Sequence, residues 1–480
     1  MNFSWHIFVN LGILSAALLL GTFLRARVAF FQKYLIPNAL TAGFIVLPLY
    51  NFVFPEIGLS AIQLGEITYH FLGLSFIALG LRTPPKGEKR GPAVFQTSIG
   101  IISQIVLQAI IGFGLTIFFI KTFMPNLFHT FGFLLPLGFA EGPGQAFSIG
   151  EAWKVHGVQD AGNIGLTFAA IGFILCCFGG IFLINHALRK GWISQQELKH
   201  MRKKETQTGI RPRNSKLLVG AYQTTDTEAI DSVSLHMALV LMSYFGAWLM
   251  LKGITFLLDM LGPIGHELAA NLWGLHFIFA VTMGLLVRQF IKAFKCDHVV
   301  DNRTMTRISG LSVDIMVTSA IAAISIIAVA KYWVPLVIIA GIGAVATFFG
   351  TIWFCSRLFS DHRFLRTLFI FGVSTGTLST GLALLRAVDP EFESPVAVDY
   401  TYASGVGFLM TIPLILIIPM PLRTFTTGNW IYSWIAFAII GVYLLFVLVS
   451  YALISKRKAL GQKERLWFKT QDLATKELKA

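Results

Sequence analysis

The stretch Gly138-Phe139-Ala140-Glu141-Gly142-Pro143-Gly144-Gln145 decides how this chain is read. A second stretch belongs with it: Gly372-Val373-Ser374-Thr375-Gly376-Thr377-Leu378-Ser379-Thr380-Gly381. Each interrupts an apolar run with residues that unwind helices and expose backbone groups. The two occupy corresponding places in the two halves of the chain. Backbone outside a helix is tolerated at membrane depth only where protein buries it or where it lines a polar cavity. A matched pair of such breaks is a sequence pointer to the binding site of a secondary transporter.

Working outward, the rest of the chain suits a membrane. Hydrophobic residues make up 55% of the 480, charged residues 13%, and Phe alone occurs 43 times. Mean hydropathy is +0.70, far from a soluble globular balance. The net charge of +14 carries no aromatic-interleaved basic face and no nucleic-acid motif, so nucleic acid is excluded as a partner. Cys176, Cys177, Cys296 and Cys355 lack metal-ligand spacing and imply no disulfide framework.

A hydrocarbon core of about 30 Å requires about 20 apolar residues per helix. The pattern predicts spans near 4–24, 34–54, 66–82, 93–120 and 161–188, then 233–255, 269–290, 309–330, 334–355 and 398–420, and one more at 430–454. The first lacks a basic leader and a small-residue cleavage site, so it is expected to remain as a helix. With the N-terminus outside, all but six of the 38 Lys and Arg fall on the inner side; the exceptions are Lys121, Lys154, Lys252, Lys331, Arg386 and Arg423. That asymmetry predicts an N-outside, C-inside protein with eleven spans.

The same count implies an inverted repeat. Residues 1–188 form a first unit of five spans, 189–232 a basic cytoplasmic linker, 233–425 a second unit, and 426–480 an extra span with a basic tail. Gly73-Leu74-Ser75 and Gly310-Leu311-Ser312 match at an offset of 237, which also carries Gly144 onto Gly381. The pieces 127–156 and 367–390 are then re-entrant hairpins entering from opposite sides, with tips meeting near the midplane. The expected class is an all-α polytopic membrane protein of about eleven transmembrane helices. The linker and tail are expected to lie along anionic lipid headgroups.

The chemistry of the tips follows. Gly142 and Gly144 permit positive φ and close approach, and Pro143 leaves no N–H unsatisfied. A short helix starting after each tip aims free N–H groups at the cavity, which suits an anionic substrate. Gly142, Gly144, Gln145, Thr377, Ser379 and Thr380 are the candidate substrate-binding residues there. Hydroxyls of Ser374 and Thr375, with freed carbonyls, offer the oxygen shell a hard cation such as Na⁺ prefers. Close packing of small residues would explain the same composition.

Ionisable residues at depth are costly and point to function. Arg386, in the second hairpin, is the candidate for a substrate carboxylate; Glu141 and Asp314 are candidates for binding Na⁺ or carrying a proton. An ion pair between Arg386 and either acid is the structural alternative. Gln104, Gln108, Asn163, Asn271 and His276 are expected to make interhelical hydrogen bonds, and His70 and His236 to be interfacial. Glu151, Lys154 and Asp160 are placed at the outer mouth, and Tyr400 and Tyr402 in an aromatic belt.

With these residues in hand, the chain resembles the bacterial sodium/glutamate symporters over about residues 1–425. Glu141-Gly142-Pro143-Gly144-Gln145, Ala152-Trp153 and the glycine-rich span from Gly162 to Gly180 take the place of that family's Gly-Gly-His-Gly-Thr run, Ala-Trp pair and long glycine-rich span. Pro143 and Gln145 depart from the His and Thr, Thr377–Gly381 departs from an Ala-Thr-Pro-Thr-Ala-like run, and the eleventh span is additional. The resemblance implies Na⁺-coupled uptake of glutamate or a related carboxylate, an elevator movement, a homodimer and the bacterial inner membrane. Proton-coupled transport of another organic anion and an ion channel remain alternatives. No metal-hydrolase motif, acid pair or nucleophile–base spacing marks an enzyme, and no cofactor is expected.

Overall fold

The computed structural model describes residues 5–83, 92–192, 208–210, 213, 219–359, 361–389 and 394–454. Much of the basic linker and the tail 455–480 lie outside the described residues. Among the described residues every regular element is helical, and nine helices are long and apolar enough to cross a membrane. The protein is an all-helical, multi-pass membrane protein.

Helices His6–Arg27, Ala61–Leu81, Pro92–Thr122, Ala161–Arg189, Ser232–Asp259, Trp333–Leu358 and Ile431–Ile454 fall on the predicted spans. Their ends carry ordinary stop chemistry. Pro92 and Pro143 open helices where a missing N–H costs nothing. Asp231 and Asp301 cap others by accepting from Ser234 N at 2.7 Å and Thr304 N at 2.9 Å.

Four spans differ from the sequence expectation. The 269–290 span is two helices, Pro263–Gly274 and His276–Ala293, broken at Leu275. The 309–330 span begins earlier, as Asn302–Ala322, because the Asp301 cap nucleates it inside the polar run; Ile326–Lys331 is separate. Asn38–Phe52 has 15 residues, about 22 Å at 1.5 Å per residue, too short to cross unaided. The 398–420 span ends at Ile417, and Pro419 starts Met420–Thr427.

The helices sort into two packed groups. One holds His6–Arg27, Asn38–Phe52, Ala61–Leu81, Ser232–Asp259, His276–Ala293 and Asn302–Ala322. The other is built around Pro92–Thr122, Ala161–Arg189 and Trp333–Leu358, and includes both broken segments. The additional helix Ile431–Ile454 packs on Pro92–Thr122. Phe437 stacks near Phe113, ring centroids 5.5 Å apart, and Lys121 sits 3.7 Å over the Trp430 ring. Small residues let these helices approach closely, which drives association where lipid is as apolar as leucine.

Candidate functional site

Both glycine-rich breaks are helix–break–helix hairpins. The first runs Phe131–Glu141, ends in a widened π turn at Leu137–Glu141, breaks at Gly142 and continues as Pro143–Ala152. The second runs Arg363–Ser374, breaks at Thr375–Gly376 and continues as Leu378–Val388. Each arm has 10 to 12 residues, about half the thickness of a hydrocarbon core. The tips touch: a Cβ on Gly142 would lie 3.2 Å from Thr377 Cγ2 and 3.6 Å from Gly376 O.

Helix Ala161–Arg189 is the spine shared by both hairpins. Gly138 lies against Phe168 and Ala169, and Gly172 against Phe139 and Thr375 O. Gly180 lies against Leu384. The glycine-rich span flagged in the sequence is therefore a surface on which both hairpins rest.

The tips are finished differently. Gly142 has φ +92° and ψ 174°, a region open only to glycine, so the chain reverses there by backbone freedom. Pro143 has no N–H, Ala146 N donates to Gly142 O at 3.1 Å, and no side chain caps this helix. The second tip uses side chains. Thr377 and Thr380 form a reciprocal capping box, with Thr377 N donating to Thr380 Oγ1 at 2.9 Å.

All four terminal carbonyls of Arg363–Ser374 are satisfied by the protein itself. Thr375 Oγ1 donates to Phe371 O at 2.7 Å and Thr380 Oγ1 to Gly372 O at 2.9 Å. Gly376 N donates to Val373 O at 3.4 Å, and Gln108 Nε2 to Ser374 O at 2.9 Å. The carbonyls expected to be freed for an ion are thus bonded within the protein, and the hydroxyl protons of Thr375, an ion candidate, and Thr380, a substrate candidate, are used in doing so. In a dry environment an unsatisfied carbonyl costs several kcal/mol, so these hydroxyls are held by the hairpin.

Other expected site residues sort as follows. Gln145 is buried and reaches Glu141 through its side chain, while its Oε1 has no hydrogen-bond partner. Tyr400 is within electrostatic range of Glu141 and packs edge-on against Phe369 of the second hairpin at 4.8 Å, so it belongs to the site's wall instead of an aromatic belt. Gly144 is packed, with Met316 Sδ at 2.6 Å and Leu72 Cδ1 at 2.8 Å from its Cβ position; it joins the hairpin to the other helix group and leaves no room for a side chain. Thr377 and Ser379 are accessible at the second tip, whereas Ser374 is fully buried.

Arg386 and Asp314 are not brought to the tips. Arg386 is exposed in the last turn of Leu378–Val388, about 13 Å along the axis from Thr377. Asp314 sits mid-helix on an exposed stripe with Arg303, Arg307 and Gly310. Met316, which touches the first tip, is two residues on, about 200° around the helix.

The burial of Arg366 and of His236 was misjudged in the sequence. Arg366 reads as an inner-loop charge, yet it is 2% exposed at the base of the second hairpin. There it pairs with Asp399 at 2.7 Å and Asp361 at 2.9 Å. Gln108 makes the interhelical hydrogen bonds expected of it, to Thr347 and directly to the second tip. The i, i+4 pair Gln104/Gln108 in an apolar helix was the available signal. His236 is fully buried, accepting from Asp301 N at 2.7 Å, and is not interfacial. Asn163 Oδ1 accepts from Ser325 N at 3.1 Å and His276 Nε2 meets Tyr69 O at 2.9 Å, as interhelical bonds.

A family model described as sodium/glutamate symporter matches residues 3–361. The match includes the first hairpin and stops before the second. No curated protein and no solved structure matches the chain.

Proposed function

The chain belongs to the sodium/glutamate symporter family, and on that premise we propose that it carries glutamate or a related carboxylate across the bacterial inner membrane with Na⁺. The family is a transporter family and not an enzyme family. The observation that carries the reading is the meeting of two half-helix N-termini. Gly144 and Gln145 at one tip, and Leu378 and Ser379 at the other, open helices whose first N–H groups have no intrahelical acceptor. They begin where Gly142 touches Thr377. Converging helix starts favour an anion. The substrate carboxylates bind at these amides and the accessible hydroxyls of Thr377 and Ser379. Glu141, held by Gln145, supplies the opposite charge for the substrate ammonium.

The two helix groups then act as moving part and scaffold. The hairpins and their glycine-rich spine travel together, because their backbones are in contact, against the group containing Leu72 and Met316. Units 1–188 and 233–425 are read as inverted repeats, N-terminus outside and C-terminus inside, in a homodimer. Arg386 and Asp314 keep no assigned role at the tips.

The test is thermal stability of purified protein in Na⁺ against K⁺ at equal ionic strength, with and without glutamate. A ligand that binds only the folded state raises stability as RT ln(1 + [L]/Kd). A Na⁺ shift that grows with glutamate supports symport. A Na⁺ shift indifferent to glutamate points to another anion, and no Na⁺ shift points to proton coupling through Glu141.

A further inference from the structure

Hydrogen-bond accounting around the second tip leaves oxygens over. Gln108 is fully buried in the middle of Pro92–Thr122. Its amide nitrogen donates to Ser374 O at 2.9 Å and to Thr347 Oγ1 at 3.1 Å. The nitrogen must face Ser374 O, because a carbonyl only accepts. That fixes Gln108 Oε1 on the other side, where it has no partner. Ser374 Oγ, on the residue Gln108 holds, is also fully buried and without a partner. Gln104 lies one turn away on the same face, and its Oε1 is buried and unpaired too.

These three atoms share one property. Each can accept, and among the wholly unpaired buried atoms of Gln104, Gln108, Thr347, Thr351 and Ser374 the Ser374 hydroxyl alone can also donate. Thr351 Oγ1 is already spent on Thr347 O at 2.7 Å. An unpaired buried acceptor costs about 1–3 kcal/mol, and three of them on residues joined by a hydrogen bond or set one helical turn apart are not expected without an occupant. Hard cations take oxygen ligands, neutral carbonyls and hydroxyls included. No carboxylate is needed for a monovalent ion.

We propose that Gln108 Oε1 and Ser374 Oγ are direct ligands of the co-transported Na⁺, with Gln104 Oε1 the next oxygen along the same face. The proposal rests on the symport reading and gives it an ion site outside the family-matched residues on one side and within them on the other. The ion would couple to the substrate mechanically. Gln108 holds Ser374, Ser374 ends the helix leading into the tip, and Thr377 at that tip meets Gly142. Filling the ion site therefore fixes the tip against which the substrate binds.

The experiment is a Na⁺ titration of thermal stability, without glutamate and at constant ionic strength with K⁺, on the wild-type chain and two variants. Ser374→Ala removes a hydroxyl that bonds to nothing else, so its melting temperature in K⁺ is equal to or above that of the wild type. Its Na⁺ half-saturation rises about tenfold or more, as expected for a lost ligand. Gln108→Leu gives a larger rise and a lower melting temperature in K⁺, because Ser374 O and Thr347 lose their donor. Glutamate half-saturation at saturating Na⁺ changes less than twofold in Ser374→Ala. If the wild type responds to Na⁺ and Ser374→Ala responds identically, the pocket holds a buried water and the proposal is overturned while symport stands. If the wild type shows no Na⁺ response, both fall.

Discussion

The two hairpins solve one problem in two ways. Each must end a helix inside a low-dielectric environment and start another without leaving backbone groups stranded. The first does so with main-chain freedom: a π turn, a glycine at φ +92° and a proline lacking its N–H. The second contains no described residue at positive φ and does so with side chains, namely Thr375, Thr377, Thr380 and Gln108. A tip closed by backbone is sensitive to any added Cβ. A tip closed by hydroxyls tolerates changes of shape and is sensitive to loss of polarity.

The largest expected effect lies at the base of the second hairpin. Replacing Asp399 by Asn leaves the buried Arg366 paired with the more exposed Asp361, at a cost on the order of 3 kcal/mol. Thermal melting of Asp399→Asn should fall more than that of any tip variant. A matching loss in Asp361→Asn, whose carboxylate is more exposed, would show that depth does not govern the pair.

Gly142→Ala comes next. Its backbone would be forced into a glycine-only region at about 1–3 kcal/mol, and its Cβ would press on Thr377. Both melting temperature and substrate affinity should drop. Gly376→Ala, in contrast, meets Thr380 Oγ1 at 2.4 Å with no φ penalty, so it should spare the first tip's stability and loosen the capping box.

Thr380→Val keeps the shape and removes the bonds to Thr377 N, Gly372 O and Thr377 O, expected to cost about 2 kcal/mol. Thr375→Val removes one bond and should cost about 1 kcal/mol. Equal losses in the two would break the claim that the second tip is built around Thr380. Each is read from urea or thermal unfolding in detergent.

The smallest effect belongs to a pair outside both tips. Lys331 Nζ meets Asp160 at 2.8 Å with a well-exposed lysine. The Asp160 hydrogen bond raises the lysine's pKa above its ordinary value. Because the folded value is the higher one, the pair's contribution is complete below the unfolded lysine's pKa and fades as pH rises through the folded value. Asp160→Asn should cost less than about 1 kcal/mol, and less still in high salt.

Much of this was legible in the sequence. Apolar run lengths set the helices, and glycine and proline placed both breaks, since Gly142 and Pro143 have no other ready use at depth. What misled was charge. Arg386 and Asp314 stood out because they are costly in a membrane, but a helix displays a side chain by rotation and rise, and both are carried away from the tips. Arg366 looked like loop charge because its partners Asp361 and Asp399 are separated from one another by a hairpin.

The sequence by itself determined the class, most of the spans and the two breaks, because hydropathy and helix-breaking are local properties of the chain. Only the tertiary structure decided which polar atoms are spent and which are left over. Gln108 is ordinary along its own helix. It becomes a candidate ion ligand because Ser374, 266 residues away, takes its nitrogen and leaves its oxygen unpaired. Hydrogen bonds between distant segments depend on how helices pack, and that packing is set by the whole chain.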